Sequence, residues 1–368
     1  MGKDTKIEWT KDGSTWNPVT GCDQVSPGCD NCYAKTVAED PRNRSHYPNL
    51  FAVTLRPEAL NLPLRWKTPR MIFVNSMSDL FHASISDEYI AKVFAVMALS
   101  PQHTFQVLTK RHARMRSLLN SSEFHRMVRG LVLTASDWLI PGVCVMCRHT
   151  KARHTKAGRC QGKSCPCGSW SWSWAVPASS WPLPNVWLGV SVENQKWADL
   201  RIPALQSTPA VVRFLSCEPL LGAVDLTPFM TPRPYEDSRE TEDWGIHWVI
   251  VGGESGKEAK PMHPRWAQVL RDQCVESDTP FFFKQWGEWA PPSDALHFER
   301  PRTEGGMGKT PQGGHRSIYL DEAGEVRSTN ELKRFVLPDN WANLARVGKR
   351  NAGRMLDGKL WDEYPQPD

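Results

Sequence analysis

Three stretches decide the fold: NVWLGVSVE at residues 185–193, VVRFLSCE at 211–218 and HWVIVGGE at 247–254. Each is a short apolar run that closes on a small residue followed two positions later by glutamate: Ser191 and Glu193, Ser216 and Glu218, Gly252 and Glu254. The period-two geometry of a strand puts both members of such a pair on one side. Comparable runs lie at 15–20 (TWNPVT), 71–76 (MIFVNS), 104–109 (TFQVLT) and 280–286 (PFFFKQW). Helical periodicity follows several of them. Ile90, Val93, Phe94 and Met97 form one apolar face, as do Trp266, Val269, Leu270 and Cys274 behind Pro264 at a first helical position. Repeated strand–helix alternation predicts an α/β fold with a parallel sheet and helices outside it. Six to seven such units predict a partial (β/α) TIM-like barrel.

Two regions interrupt the alternation and divide the chain. Residues 1–129 form the first part of the barrel and 185–290 the second. Between them, 130–184 form a cysteine-rich, zinc-binding insertion that ends in the tryptophan- and serine-rich run GSWSWSWAVPASSWPLP. Residues 291–368 form a basic C-terminal extension carrying Lys333, Arg334, Arg346, Lys349, Arg350 and Arg354, with a short helix expected near 339–347. Residues 230–245 read as a polar loop before the sixth strand. The 368 residues are 40% hydrophobic and 23% charged, enough apolar material for a core. A net charge of +5 permits an anionic partner without demanding one. No apolar run approaches the roughly 20 residues of a membrane helix. The start, Met1 to Lys6, is charged and lacks a signal-peptide core, and Lys6 sits where a myristoylation signal wants Ser or Thr. The expected compartment is the cytoplasm of a bacterium or a phage-infected host, where cysteines serve metals or catalysis more often than disulfides.

The ten cysteines are clustered. Cys22, Cys29 and Cys32 lie together, as do Cys144, Cys147, Cys160, Cys165 and Cys167; Cys217 and Cys274 stand alone. Close spacing is a ligand pattern, because one metal centre needs several thiolates within a few ångströms. In Cys22-x6-Cys29-x2-Cys32, three thiolates can hold a four-iron (4Fe-4S) cluster and leave one iron open. An open iron can bind S-adenosylmethionine, and electron transfer into its sulfonium yields a carbon radical. The alternative is a zinc site completed by His46 or an acidic residue. The motif follows the first strand, the position at which radical-SAM enzymes carry theirs. Their usual spacing is Cys-x3-Cys-x2-Cys with an aromatic before the last cysteine; here the first gap is six and Tyr33 follows the last.

Polar residues gather at the other strand ends. The second strand ends in Asn75, Ser76, Ser78 and Asp79, the third in Thr109, Lys110 and Arg111, and the seventh in Lys284, Gln285 and Trp286. Sites of parallel α/β barrels sit at the carboxyl ends of the strands. Asn75, Ser76, Asp79, Ser191, Glu193, Ser216, Glu218 and Glu254 are therefore expected to bind a cofactor or substrate, with capping of the following helices as the alternative for any one of them. Cys217 has opposite parity to Ser216 and Glu218, which favours a buried structural thiol over a hydrogen-atom donor. Cys274 falls on the apolar face of its helix. His82 and His263 have no partner legible in sequence.

The segments WNPVTGCDQVSPGCDNCYA, FVNSMSDLFH, FQVLTKR, GVSVEN, RFLSCEPLL, VIVGGESG, FFFKQWGEW and VGKRNAGRMLDG together resemble the bacteriophage gene-product 37 / gene-product 68 family, which also occurs in bacteria and has no assigned biochemical function. The resemblance covers nearly the whole chain except residues 130–184. It implies a radical-SAM-like protein with Cys22, Cys29 and Cys32 as cluster ligands, and it gives no substrate. Radical-SAM enzymes often carry a Gly-Gly-Glu element after strand two. Gly252-Gly253-Glu254 lies near strand six instead, so that role does not transfer.

In the insertion, Cys144-x2-Cys147-x12-Cys160-x4-Cys165-x-Cys167 resembles a small zinc ribbon or finger, with His149 and His154 as further candidate ligands. Five cysteines exceed the four that one structural zinc takes. The basic residues between them, Arg148, Lys151, Arg153, Lys156 and Arg159, could meet phosphates; the alternatives are a structural clip with a solvated basic face, or a second iron–sulfur cluster. The expected function is that of a radical-SAM-like iron–sulfur enzyme acting on nucleic acid or a nucleotide, in modification or repair, and served by an electron-donor protein. The rival expectation is a non-catalytic, metal-stabilised nucleic-acid-binding phage protein.

Overall fold

A computed structural model describes residues 5, 7–10, 13–138, 181–230, 245–294, 317–328 and 338–366. The five insertion cysteines, His149, His154 and loop positions 231–244 lie outside the described residues. Seven strands form the main sheet: β1 (Ser14–Trp16), β2 (Met71–Val74), β3 (Thr104–Thr109), β4 (Val186–Ser191), β5 (Val212–Cys217), β6 (Trp248–Gly252) and β7 (Phe281–Gln285). They lie side by side in chain order. The pairings β1–β2, β2–β3, β5–β6 and β6–β7 are parallel. A sequential order is compatible with a partial (β/α) barrel and differs from the doubly wound order, which reverses at a switch point. Among the described residues no helix is long and apolar enough to cross a membrane.

The chain divides into two compact units that share β4. The first comprises Met1–Asp23, Ala34–Gly189 and Ser207–Val211; the second comprises Gln24–Tyr33, Val190–Gln206 and Val212–Asp368.

In the first unit, Trp16 pairs with Val74 and Val74 with Val107, which fixes the register of β1, β2 and β3. Helix α1 (Tyr33–Glu39) runs mostly in this unit. Helix α2 (Asp87–Ala98) starts where Ser86 Oγ accepts the Tyr89 amide at 3.3 Å, with Asp87 and Glu88 at the positive end of the helix dipole. Its buried face holds Ile90, Val93, Phe94 and Met97, the residues that the 3.6-residue period selects. Helix α3 (His112–Leu119) leads into α4 (Ser122–Leu133), and Phe94 of α2 meets Phe124 of α4 edge to face at 5.6 Å.

In the second unit, α5 (Gln195–Gln206) follows β4, and α6 (Pro264–Glu276), which buries Trp266, Leu270 and Cys274, packs on β6 and β7. Its cap is His263, whose Nδ1 accepts the Arg265 amide at 3.1 Å. Register slips between Val251 and Gly252: Val251 pairs with Phe283 and Gly252 with Gln285, so Lys284 is the extra residue. The outer edge of β7 is covered by residues 361–364. Phe283 N–H donates to Trp361 O at 2.8 Å, Glu363 N–H to Phe281 O at 3.3 Å, and Phe282 bridges Asp362 antiparallel. That arrangement satisfies an edge that would otherwise offer itself to another strand. Beyond β7 come β8 (Trp289–Ala290), β9 (Ser317–Asp321), β10 (Val326–Ser328) and β11 (Trp341–Arg346), an antiparallel sheet in the order β8-β11-β9-β10. The expected helix near 339–347 is thus a strand. Trp341–Arg346 is paired by β9 on one side and β8 on the other, and that pairing outweighs the weak helical preference of its alanines and leucine.

Candidate functional site

The motif cysteines belong to loops whose backbones are fixed from several sides. In the first unit, Gly21 takes φ +85°, and a Cβ there would stand 2.2 Å from the Ala52 carbonyl oxygen, so only glycine fits. Its N–H donates to Met77 O at 2.9 Å, and the Cys22 N–H donates to Phe51 O at 3.2 Å. Cys22 is half-buried, and its Sγ lies 3.4 Å from Asp23 O. The next side chain, Asp23, accepts a hydrogen bond from buried His82 Nε2 at 2.8 Å. The other ring nitrogen, Nδ1, accepts the Ser84 amide at 3.1 Å, which puts the neutral ring's proton on Nε2. His82 therefore has a partner that sequence did not disclose.

The end of β2 is ordered by polar contacts. Asn75 sits at φ +59°, is 3% exposed, and neither Oδ1 nor Nδ2 has a hydrogen-bond partner among the described residues. Asn17 bonds Ser76 Oγ at 3.1 Å and accepts the Met77 amide at 3.1 Å. Asp79 accepts from Thr109 Oγ1 at 2.7 Å, the Lys110 amide at 2.9 Å and the Phe81 amide at 3.0 Å. Its carboxylate ties the end of β2 to the end of β3. Gln106, within β3, is fully buried with both amide atoms unpartnered among the described residues. The polar residue inside TFQVLT was its only signal in the sequence.

In the second unit, the loop 24–33, which carries Cys29 and Cys32, is clamped by two of the three strand-end glutamates. Ser26 Oγ donates to Glu193 Oε1 at 2.6 Å. Arg201 Nη1 donates to Glu193 Oε2 at 2.7 Å and to Ser191 O at 2.8 Å, and Arg201 and Glu193 are both fully buried. The Arg201 guanidinium lies 4.1 Å over the Trp197 ring. A Cβ on Gly28 would stand 2.6 Å from the Glu193 side chain, so glycine lets the loop approach. At the other side Asn31 Nδ2 donates to Glu254 Oε2 at 3.0 Å and to Glu258 O at 2.9 Å. The Lys260 amide reaches the same Glu254 oxygen at 2.7 Å, and Lys260 Nζ pairs with Asp30 at 2.6 Å.

The third glutamate does not touch the loop. Glu218 receives Lys284 Nζ on both oxygens, at 2.6 and 2.9 Å, and Gln285 Nε2 at 3.3 Å. Ser191 and Ser216 are buried, and Ser216 O accepts the Val192 amide at 2.8 Å. Gly253 lets the ends of β6 and β7 close: a Cβ there would lie 1.9 Å from Trp286 O. Cys217 and Cys274 are buried, and burial pushes both thiols well above the ordinary range, with the nearby Glu193 charge raising Cys217 further and that of Glu363 raising Cys274. Both behave as packing thiols.

Among the described residues, no group of three or more His, Cys, Asp or Glu side chains is assembled to hold a metal ion. The donor chemistry of Cys22, Cys29 and Cys32 fits a thiolate-ligated cluster: all three are outside disulfides and half-buried. The family model described as "Protein of unknown function (DUF5131)" matches residues 4–365. No curated protein and no solved structure matches the chain.

Proposed function

The chain belongs to the DUF5131 family, and from that premise we propose that it is a radical-SAM-like iron–sulfur enzyme acting on nucleic acid or a nucleotide. The observation that carries the reading is the clamping of the cysteine loop. Two buried carboxylates, Glu193 and Glu254, are directed at Ser26 and Asn31, which flank Cys29 and precede Cys32. Burying a carboxylate is unfavourable unless it is paired and hydrogen-bonded. A loop fixed in this way, whose own thiols remain half-buried and outside disulfides, has the character of a preorganised ligand shell.

In this reading Cys22, Cys29 and Cys32 hold a four-iron cluster. Such a cluster, when bound, supplies one electron to S-adenosylmethionine from an external donor protein. Glu193 and Glu254 position the loop. Glu218 and the polar end of β2, with Asn75, Ser76 and Asp79, are the residues left to orient cofactor or substrate. Cys144, Cys147, Cys160, Cys165 and Cys167 are the candidates from which zinc in the insertion takes four thiolates. The protein works in the cytoplasm.

Electron paramagnetic resonance of anaerobically purified, reduced protein tests this. A reduced-cluster signal that changes on adding S-adenosylmethionine, and that is absent in the Cys22, Cys29 and Cys32 triple alanine variant, is the expected result. Iron and sulfide retained in full by that variant would overturn it and leave the non-catalytic nucleic-acid-binding reading.

A further inference from the structure

The second unit contains a cationic pair that the cysteine loop does not use. Lys284 is the extra residue where β6 and β7 slip register, and an extra residue of this kind re-aims its side chain. Its ammonium meets Glu218, and the two side chains keep 14% and 18% of their surface open. Arg354 approaches the same residue from the segment after Lys349–Ala352. Its Nε donates to Lys284 O at 3.1 Å, and its guanidinium lies 4.8 Å over the Phe282 ring. Arg354 is half-buried and has no ion-pair partner among the described residues, and its Nη2 is buried without a hydrogen-bond partner. Arg354 thus meets two residues of β7, Lys284 through its backbone carbonyl and Phe282 through its ring, while the Lys284 ammonium is held by Glu218. A guanidinium held this way, with its plane fixed by an aromatic ring and one N–H bond, leaves Nη2 without an acceptor and the charge without a carboxylate among the described residues.

We propose that Arg354 and Lys284 form an oxyanion subsite that takes a phosphate group of a nucleotide substrate. A phosphate oxygen supplies the acceptor that the guanidinium lacks. The Arg354 fork gives directional hydrogen bonds, and Lys284, with its charge shared with Glu218, adds an adjustable point charge. This deepens the nucleotide reading given above and rests on it for the substrate class, but binding of phosphate needs no iron.

The test is calorimetric titration of the full-length protein, with and without reconstituted iron, using each of the four ribonucleoside monophosphates and its parent nucleoside. Inorganic phosphate and acetate serve as competitors. At least one monophosphate should bind about tenfold or more tightly than its nucleoside, the scale of one charge-assisted contact. Arg354→Met should erase that difference, and Arg354→Lys should restore part of it in a protein that retains the charge. Phosphate should compete and acetate should not. Equal binding of every monophosphate and nucleoside, or an unchanged preference in Arg354→Met, overturns the proposal; competition by acetate as strong as by phosphate overturns the phosphate assignment. The iron-free protein should keep the preference, so that loss of the cluster reading leaves the subsite standing; a preference that appears only with iron bound overturns it.

Discussion

Glu193 shows how a residue's type can be legible while its task is not. The small-x-Glu ending marks it as a polar strand-end residue, yet both its oxygens meet protein donors, Ser26 on one side and Arg201 on the other. Those partners lie far away in sequence or on a helix whose polar positions look solvated. Neither could be inferred from spacing. The pair is fully buried, so removing one partner leaves an uncompensated charge. Arg201→Met should lower the unfolding free energy by about 3–5 kcal/mol, measured by urea denaturation. A loss below 1 kcal/mol would mean that water replaces the guanidinium and that the clamp is weaker than its geometry indicates.

At the scale of elements, the seven main strands were legible because most are short, largely apolar runs buried in the sheet, with β1 reduced to Ser14–Trp16 and polar Gln106 and Arg213 inside β3 and β5, and the amphipathic period fixed α2 and α6. The four-stranded β8–β11 sheet was not, since its strands are short and pair across long polar stretches; the alanine-rich Trp341–Arg346 run even mimics a helix. The loop clamp was illegible for the same reason, because its bonds join residues 167 and 223 positions apart. Glycines at element ends give a sharper test of the architecture. Gly253→Ala would drive a Cβ into the Trp286 carbonyl, against backbone that cannot move aside. It should cost about 3 kcal/mol, a large loss for a single site. Gly130→Ala, in the interior of α4 with nothing within 4 Å of the added carbon, should instead stabilise by about 0.4–1 kcal/mol. Thermal unfolding of the two variants in one buffer checks both signs together.

At the scale of the whole molecule, the two compact units exchange short pieces of chain: the second takes Gln24–Tyr33 from near the start, and the first takes Ser207–Val211 from the middle. A fragment made from either half of the chain would lack part of its own unit. The segment 361–364 matters on the same scale. A chain ending at Leu360 loses the Glu363 carbonyl that accepts the Trp248 indole at 2.9 Å and the Glu363 carboxylate that accepts the Phe281 amide at 2.9 Å. It should unfold at lower denaturant and show concentration-dependent association by light scattering, whereas a monodisperse chain of unchanged stability would mean that the edge needs no cover. The same segment sets a timetable. On a ribosome adding about 5–20 residues per second, β7 is made roughly 4–15 seconds before Trp361 arrives to seal it. For that interval the nascent chain carries an apolar strand with one bare flank, and crowded polysomes or slow codons in this stretch would lengthen its exposure to wrong partners.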